Sequence, residues 1–325
     1  MSGADVIVTG AGGFIGGHLV QALIAEGRRV RAVDRKPLSA WHQVHGRADN
    51  MVRDLSTLES CQEILSGGAQ EVYNLAADMG GMGFIESHKA YCMLSVLINT
   101  HMLMAARDNK AERFFFSSSA CVYPADKQRD TEVVPLREED AYPAMAEDGY
   151  GWEKLFSERM TRHFREDFGL STRVGRYHNV YGPKGSWCGG REKVPAAACR
   201  KVAVAALAGG QEVEIWGDGR QMRSFMHVDD CVTGSIALTR SDYADPLNIG
   251  SSEAVSINDL YRLIQEIAGT RLRVRHVPGP LGVRGRNSDN ALIHKELGWE
   301  PSIRLAEGLE STYRWIYDQV KAQLG

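Results

Sequence analysis

Asp5–Thr9 is an apolar run that leads directly into Thr9-Gly10-Ala11-Gly12-Gly13-Phe14-Ile15-Gly16, and no other segment restricts the fold as tightly. Ile15, Leu19 and Leu23 then recur at four-residue spacing until Gly27, the pattern of a helix with one apolar face. A strand, a glycine turn and a helix in that order let the backbone approach a pyrophosphate closely and aim helix N–H groups at it. The spacing is GxxGxxG rather than GxGxxG, and a glycine turn alone is a weak signal. The flanking strand and helix, with an acidic residue at the end of the next strand, make a dinucleotide the expected ligand. Gly10, Gly13, Phe14, Ile15 and Gly16 are its candidate contacts.

That acidic residue is Asp34, 18 positions after Gly16, where a carboxylate can accept from a ribose 2'-hydroxyl. NAD is therefore expected over NADP, although Arg35 and Lys36 supply cations that a 2'-phosphate would use. Asp54 either borders the adenine or is a plain surface carboxylate, and Ala76, near the end of a later strand, is a further candidate contact.

The remaining chain alternates in the same way. Residues 29–34, 72–77, 113–117 and 171–177 read as strands, and 88–109 and 148–168 as helices. Such alternation predicts an α/β fold, a Rossmann-type doubly wound parallel sheet. In the second helix Phe156, Met160, Phe164 and Phe168 form a stripe expected to face the core, with Gly169 as its stop. From about Tyr181 onward Pro, Gly and short segments become frequent, which predicts a smaller C-terminal substrate-binding lobe over 181–325. The dinucleotide-binding domain then spans 1–180, with a segment near 244–252 returning to its sheet.

Composition excludes several classes of function. The chain has 325 residues, 43% of them apolar, enough for a large core. No run approaches a bilayer span of ~18 apolar residues, and residues 1–5 lack the features of a secretory signal, so a cytoplasmic protein is expected. A net charge of -3 offers no basic field for nucleic acid or anionic lipid. The six cysteines have no metal-site spacing, and no metal is expected. In a reducing compartment they are thiols, and Cys121 alone has a context that suggests chemistry.

That context is Ser119-Ala120-Cys121 followed by Tyr150 and Lys154, four residues apart and so on one helix face. A phenol ionises too high to serve as a base at neutral pH, and an adjacent ammonium favours its phenolate, allowing it to take a proton from an alcohol as a hydride leaves. A cysteine thiolate can remove a proton next to a ketone, and nearby cations lower its pKa.

The glycine turn, Asn74-Leu75-Ala76-Ala77, the Ser119 segment and Tyr150-x-x-x-Lys154 together resemble the extended short-chain dehydrogenase/reductase family of nucleotide-sugar enzymes. Asn179-Val180-Tyr181-Gly182-Pro183 and Arg223-Ser224-Phe225 carry the resemblance into the second half, where it implies nucleotide-diphosphate binding by Asn179 and Arg223. Residues 76–83, 118–124, 189–193 and 282–290 are similar to the branch that epimerises GDP-mannose at C5 and C3. The resemblance implies an isomerase with catalytic NAD, a GDP-sugar substrate and a homodimer that pairs two helices per subunit; the 93–104 segment is apolar enough for that, and intrachain packing explains the same residues equally. It further implies that Tyr150, with Lys154 and Ser119, takes the C4 hydroxyl proton during transient oxidation. Cys121 would act next to the 4-ketone on one face and Lys193 on the other, and re-reduction would complete a GDP-L-galactose or GDP-L-gulose product. Asp78, Gly80, Gly81, Ser119, His178, Asn179, Lys193, Arg223 and Arg286 are the candidate substrate contacts. Arg286 would hold the diphosphate, His178 either orders the sugar site or is a structural histidine, and Asp78 either lines the hexose pocket or caps a turn. A 4-epimerase, a 4,6-dehydratase or a non-catalytic dinucleotide-binding protein remain the alternatives, with the lack of a carboxyl residue at 121 counting against the dehydratase.

Overall fold

The computed structural model describes residues 4–80, 82–279 and 282–324. Its first strands, β1 (Val6–Thr9), β2 (Val30–Asp34), β3 (Asp49–Val52), β4 (Glu71–Asn74), β5 (Arg113–Ser119) and β6 (Thr172–Tyr177), lie in one parallel sheet. The chain then builds β7 (Asn179–Tyr181), β8 (Glu212–Trp216) and β9 (Met222–His227) elsewhere, before β10 (Leu247–Ile249) returns to pair in parallel with β6. The resulting strand order, β10-β6-β5-β4-β1-β2-β3, is the doubly wound order with its reversal beside β1, where the glycine turn emerges. Strands β11 (Ala254–Ser256), β12 (Arg273–Val277) and β13 (Gly285–Arg286) complete the smaller sheets: β9 pairs with β7, β11 and β13, and β8 with β12.

Alternation along the strands explains the layers, because successive side chains point to opposite faces. Val6, Val8, Tyr73 and Phe115 pack on the side of α1 (Phe14–Ala25), while Ile7, Val72, Phe114 and Phe116 pack on the opposite side. That opposite side is covered by α2 (Leu58–Leu65) and, after the short α3 (Met82–Ser87) and α4 (Lys89–Met93), by α5 (Ser95–Asp108) and α6 (Asp148–Phe168). In the C-terminal half, α7 (Val194–Ala208), α9 (Ile257–Ile267) and α11 (Leu305–Leu324) form a separate core with β8 and β9. Helix α8 (Val228–Arg240) closes the α1 face, and α10 (Ala291–Leu297) packs beside β10. Among the described residues no helix is long and apolar enough to cross a membrane.

Three expectations need correction. Strand β4 stops at Asn74 rather than Ala77, because the N–H groups of Leu75 and Ala76 donate to Thr9 Oγ1 (3.1 and 3.2 Å) instead of to a neighbouring strand. The helix read over 88–109 is interrupted at Leu94, where the Leu97 N–H bonds three residues back to the Leu94 carbonyl and tightens the turn. The aromatic stripe of α6 is only partly core: Met160 and Phe164 pack inward, but Phe156 and Phe168 are 58% and 52% exposed. The inward face of α6 carries Tyr150, Lys154, Ser157, Glu158 and Thr161, so its burial depends on polar pairing rather than on apolar area. Gly169 does stop the helix, in the left-handed conformation that a glycine adopts without strain.

The key pairing is Arg176 of β6 with Glu158 of α6, joined by two parallel N–H···O bonds of 2.9 and 2.8 Å and almost fully buried. Ser118 at the end of β5 donates to the same carboxylate at 2.5 Å, and Arg176 also donates to the Glu138 carbonyl and to the Tyr123 hydroxyl. Each ion would be costly alone, and the guanidinium is held far above its ordinary pKa by the carboxylate despite its burial. Replacing Arg176 with Met strands Glu158 and is expected to cost about 3–5 kcal/mol, read as a lower urea midpoint with an unchanged slope.

Candidate active site

The glycine turn meets the physical test for a dinucleotide cradle. Gly10 has φ +68°, and a Cβ on Gly16 would lie 2.2 Å from the Gly10 carbonyl oxygen, so turn and helix approach too closely for any side chain. Gly13 caps α1 without any side-chain acceptor, leaving the helix N-terminus facing outward for an anion. Phe14 packs edge-on against His18, and Ile15 packs against the core below. Asp34 ends β2 beside the turn, accepting from Gly12 N–H (3.1 Å) and Lys36 N–H (3.0 Å) with lone pairs left for a ribose. Both neighbouring cations are already engaged: Arg35 pairs with Asp78 at 2.8 Å, and Lys36 donates to the Gly12 carbonyl at 2.7 Å. These residues fit NAD, with the turn for its pyrophosphate and Asp34 for its adenosine ribose. Asp54 is exposed, and its carboxylate is held below the usual range by the Ser56 N–H.

Beyond the C-terminal ends of β4 and β5 lies a cavity of about 320 Å³ between the large sheet and the smaller sheets. Gly80, Ser119, Cys121, Tyr150, His178, Asn179, Lys193, Arg223 and Arg286 all line it. Lys154 lies behind Tyr150, buried, with its ammonium 5.7 Å from the Tyr150 ring centroid and 4.7 Å from that of Phe116. Asp78 is not among the lining residues; its carboxylate meets Arg35 and, at 3.7 Å, Arg191. Gly81 lies outside the described residues.

The electrostatics differ from the sequence reading at two positions, for one reason. Burial pushes the Tyr150 phenol well above its ordinary pKa, Cys121 and Glu153 add to the rise, and a hydrogen bond from Ser119 opposes it. The Cys121 thiol is likewise raised, first by burial and then by Glu147, against the pull of Arg286 and Ser119. For Cys121 the pull of Arg286 is outweighed by desolvation, and for Tyr150 desolvation is again the largest cause, because burial penalises the charged form. Burial also lowers the Lys193 ammonium. His178 falls to about 3 and is neutral; its Nε2 bonds to Asn248 (3.1 Å), while Nδ1 has no hydrogen-bond partner among the described residues.

Arg286, the expected diphosphate contact, lines the cavity with its guanidinium engaged by protein groups. Its guanidinium donates to Gln128 Oε1 at 2.7 Å, pairs with Glu147, and approaches Cys121 Sγ at 3.8 Å. Arg223 donates to the carbonyls of Met222 (2.8 Å) and Val283, and its burial lowers it to about 10. The Asn179 amide donates to the Ser224 carbonyl at 3.0 Å, tying β7 to β9 at the cavity wall. Three lining residues carry no motif of their own. Glu147 precedes α6, Lys201 lies 5.5 Å from the centroid of the Trp216 ring, and Gln221 is buried with an Oε1 that has no partner among the described residues. Proximity of Gln221 to the Arg223 segment was the one available signal.

The model of the NAD dependent epimerase/dehydratase family matches residues 6–250. GDP-mannose 3,5-epimerase of Arabidopsis thaliana is 46% identical over 98% of this chain and 83% of its own length, and GDP-mannose 3,5-epimerase 1 of Oryza sativa subsp. japonica has the same identity and coverage. Among solved structures, UDP-glucose 4-epimerase of Thermotoga maritima with UDP-glucose is 27% identical with a TM-score of 0.85, covering 97% of this chain and 99% of its own. MoeE5 in complex with UDP-glucuronic acid and NAD is 31% identical with a TM-score of 0.81, over 97% and 99% of the two chains.

The thiol environment is open to direct measurement. Iodoacetamide is expected to modify Cys121 more slowly than the exposed Cys188 at neutral pH and to gain rate as alkali forms the thiolate, followed peptide by peptide with mass spectrometry. Arg286→Met removes a cation that favours the thiolate and shifts that gain to still higher pH.

Proposed function

The chain belongs to the NAD dependent epimerase/dehydratase family, and on that premise we propose that it is an isomerase that epimerises GDP-mannose at C5 and C3. The observation that carries this reading is the convergence of Cys121, Lys193 and Tyr150 on one cavity, in a chain 46% identical to a GDP-mannose 3,5-epimerase over nearly its whole length. Bound NAD, held by the Gly10–Gly16 turn and Asp34, supplies reversible oxidation at the sugar's C4.

Tyr150 in its phenolate form takes the C4 hydroxyl proton, and Ser119, which opposes the rise in the Tyr150 pKa, favours that form. A ketone at C4 acidifies the hydrogens at C3 and C5. Cys121 removes one of them as thiolate, with Arg286 at 3.8 Å offsetting the charge as it forms. Lys193, its ammonium made a readier donor by burial, delivers a proton to the opposite face. Two groups on opposite sides are the minimum for inversion, and Tyr150 gives its proton back as C4 is reduced. Lys201, Trp216 and Gln221 at the other end of the cavity are available to the guanine, and Arg223 with Asn179 to the diphosphate.

Incubation with GDP-mannose in D2O is expected to place deuterium at C5, and at C3 where both centres turn over, as followed by NMR and mass spectrometry. Cys121→Ala should slow this exchange by about 10²- to 10⁴-fold while leaving sugar-nucleotide binding largely intact. Loss of water from the sugar would instead identify a dehydratase, and an active Cys121→Ala variant would remove the thiol from its role.

The functional unit in this reading is a homodimer. Leu97 on α5 and Trp152 and Phe156 on α6 are 41%, 42% and 58% exposed, and a second copy packed on these helices would bury them. Leu97→Glu combined with Phe156→Glu is expected to yield a folded monomer by light scattering with size-exclusion chromatography.

A further inference from the structure

Glu153 precedes Lys154 in sequence, and the reaction above gives it no part. The side chains of the two residues are 0% and 3% exposed. One Glu153 oxygen accepts from the Ser157 hydroxyl at 2.9 Å, whereas Oε2 has no hydrogen-bond partner among the described residues and lies 3.7 Å from the Lys154 ammonium. A buried carboxylate with a bare oxygen is expensive unless a cation compensates it, and Lys154 is the cation at hand. The same ammonium faces the Tyr150 and Phe116 rings on its other side. We propose that Glu153 is a positioning residue that shares the Lys154 ammonium with Tyr150 and so sets how strongly Tyr150 takes the sugar's proton.

The consequence follows from the groups that surround the phenol. Ser119 and Cys121 face it from the end of β5 and the turn after it, Cys92 from α4, and Lys154 and Glu153 from its own helix. Glu153 itself is faced by Lys154, Ser157 and Cys92. Of the groups facing Tyr150, the Glu153 carboxylate raises the Tyr150 pKa and so disfavours the phenolate. A phenolate formed against that charge is a stronger base and draws the C4 hydroxyl proton further across; the cost is a higher pH for its formation. In a cycle that returns the same proton, this balance governs how much ketone stands on the enzyme at any moment. The inference rests on the epimerase reading for its purpose, but its central measurement needs no sugar.

The test is Glu153→Gln in the NAD-loaded protein, with the ionisation of Tyr150 followed by ultraviolet difference titration and identified by its loss in Tyr150→Phe. The titration midpoint is expected to fall by about one pH unit, a tenfold gain in phenolate below the midpoint. The acid limb of the exchange-rate profile should move down with it. Should the glutamine amide prove incompatible with folding beside Lys154, Glu153→Met removes the charge without adding a donor and is read identically. A midpoint that stays in place or rises in the folded variant overturns the proposal and leaves Glu153 a structural residue. Failure of exchange with GDP-mannose alongside a shifted midpoint would instead count against the substrate reading alone.

Discussion

The arrangement depends first on a buried ion pair that cannot be left half made. Glu158 and Arg176 hold α6 against β6, and Ser118 fastens the end of β5 to the same carboxylate. Tyr150 and Lys154 project from the helix so anchored, and Ser119 follows Ser118 directly. The network runs on from Arg176 through Tyr123 to Asn248 of β10 and thence to His178 at the cavity wall. Such a pair contributes little net stability over an apolar substitute, but breaking it exposes a full desolvation penalty. Its effect is to restrict α6 to one rotation and height on the sheet, which is the accuracy that proton transfer requires.

Desolvation recurs as the dominant force inside the cavity. The phenol, the thiol and the ammonium expected to exchange protons are each displaced toward their neutral forms, and burial is the largest cause for all three. Neutral groups do not begin the reaction as a strong base and a strong acid. The phenol becomes a base where Ser119 and Lys154 meet its developing charge, and the thiol and ammonium act once the ketone has formed, with Arg286 meeting the charge on sulfur. An environment of this kind disfavours stray proton exchange before a sugar is bound. It also makes each compensating partner count for more than its distance would suggest in water.

The fold illustrates how far pattern reading reaches. Five of the strands through Tyr177 were visible because apolar runs between glycines and polar turns have few other uses, whereas β3 over Asp49–Val52, polar at two positions and without a buried residue, gave no such run. Asn74 ends its strand early for a reason that no pattern in 72–77 contains, since the acceptor that captures the next two N–H groups is Thr9, 66 and 67 residues away. The α6 stripe misled for a related reason. Four large apolar residues at helical spacing announce a buried face, but a buried polar face carrying Lys154, Glu158 and Thr161 occupies the inside, and two of the aromatics are left outside.

Residue types at fixed spacing were enough to indicate the parallel α/β sheet and the glycine turn with Asp34, and they singled out Ser119, Cys121, Tyr150 and Lys154 as candidates, because local geometry and intrinsic reactivity are properties of neighbouring residues, whereas Lys193 came from the resemblance alone. The direction of the proton affinities was decided only by the tertiary structure, because desolvation depends on what covers a group and not on what adjoins it in the chain. The same holds for Arg286, which reads as an anion-binding residue in its glycine-rich segment but faces Glu147, Gln128 and the Cys121 sulfur. It holds most of all for Gln221, Lys201 and Glu147, whose place at the cavity comes from elements far apart in sequence meeting at the ends of the parallel strands.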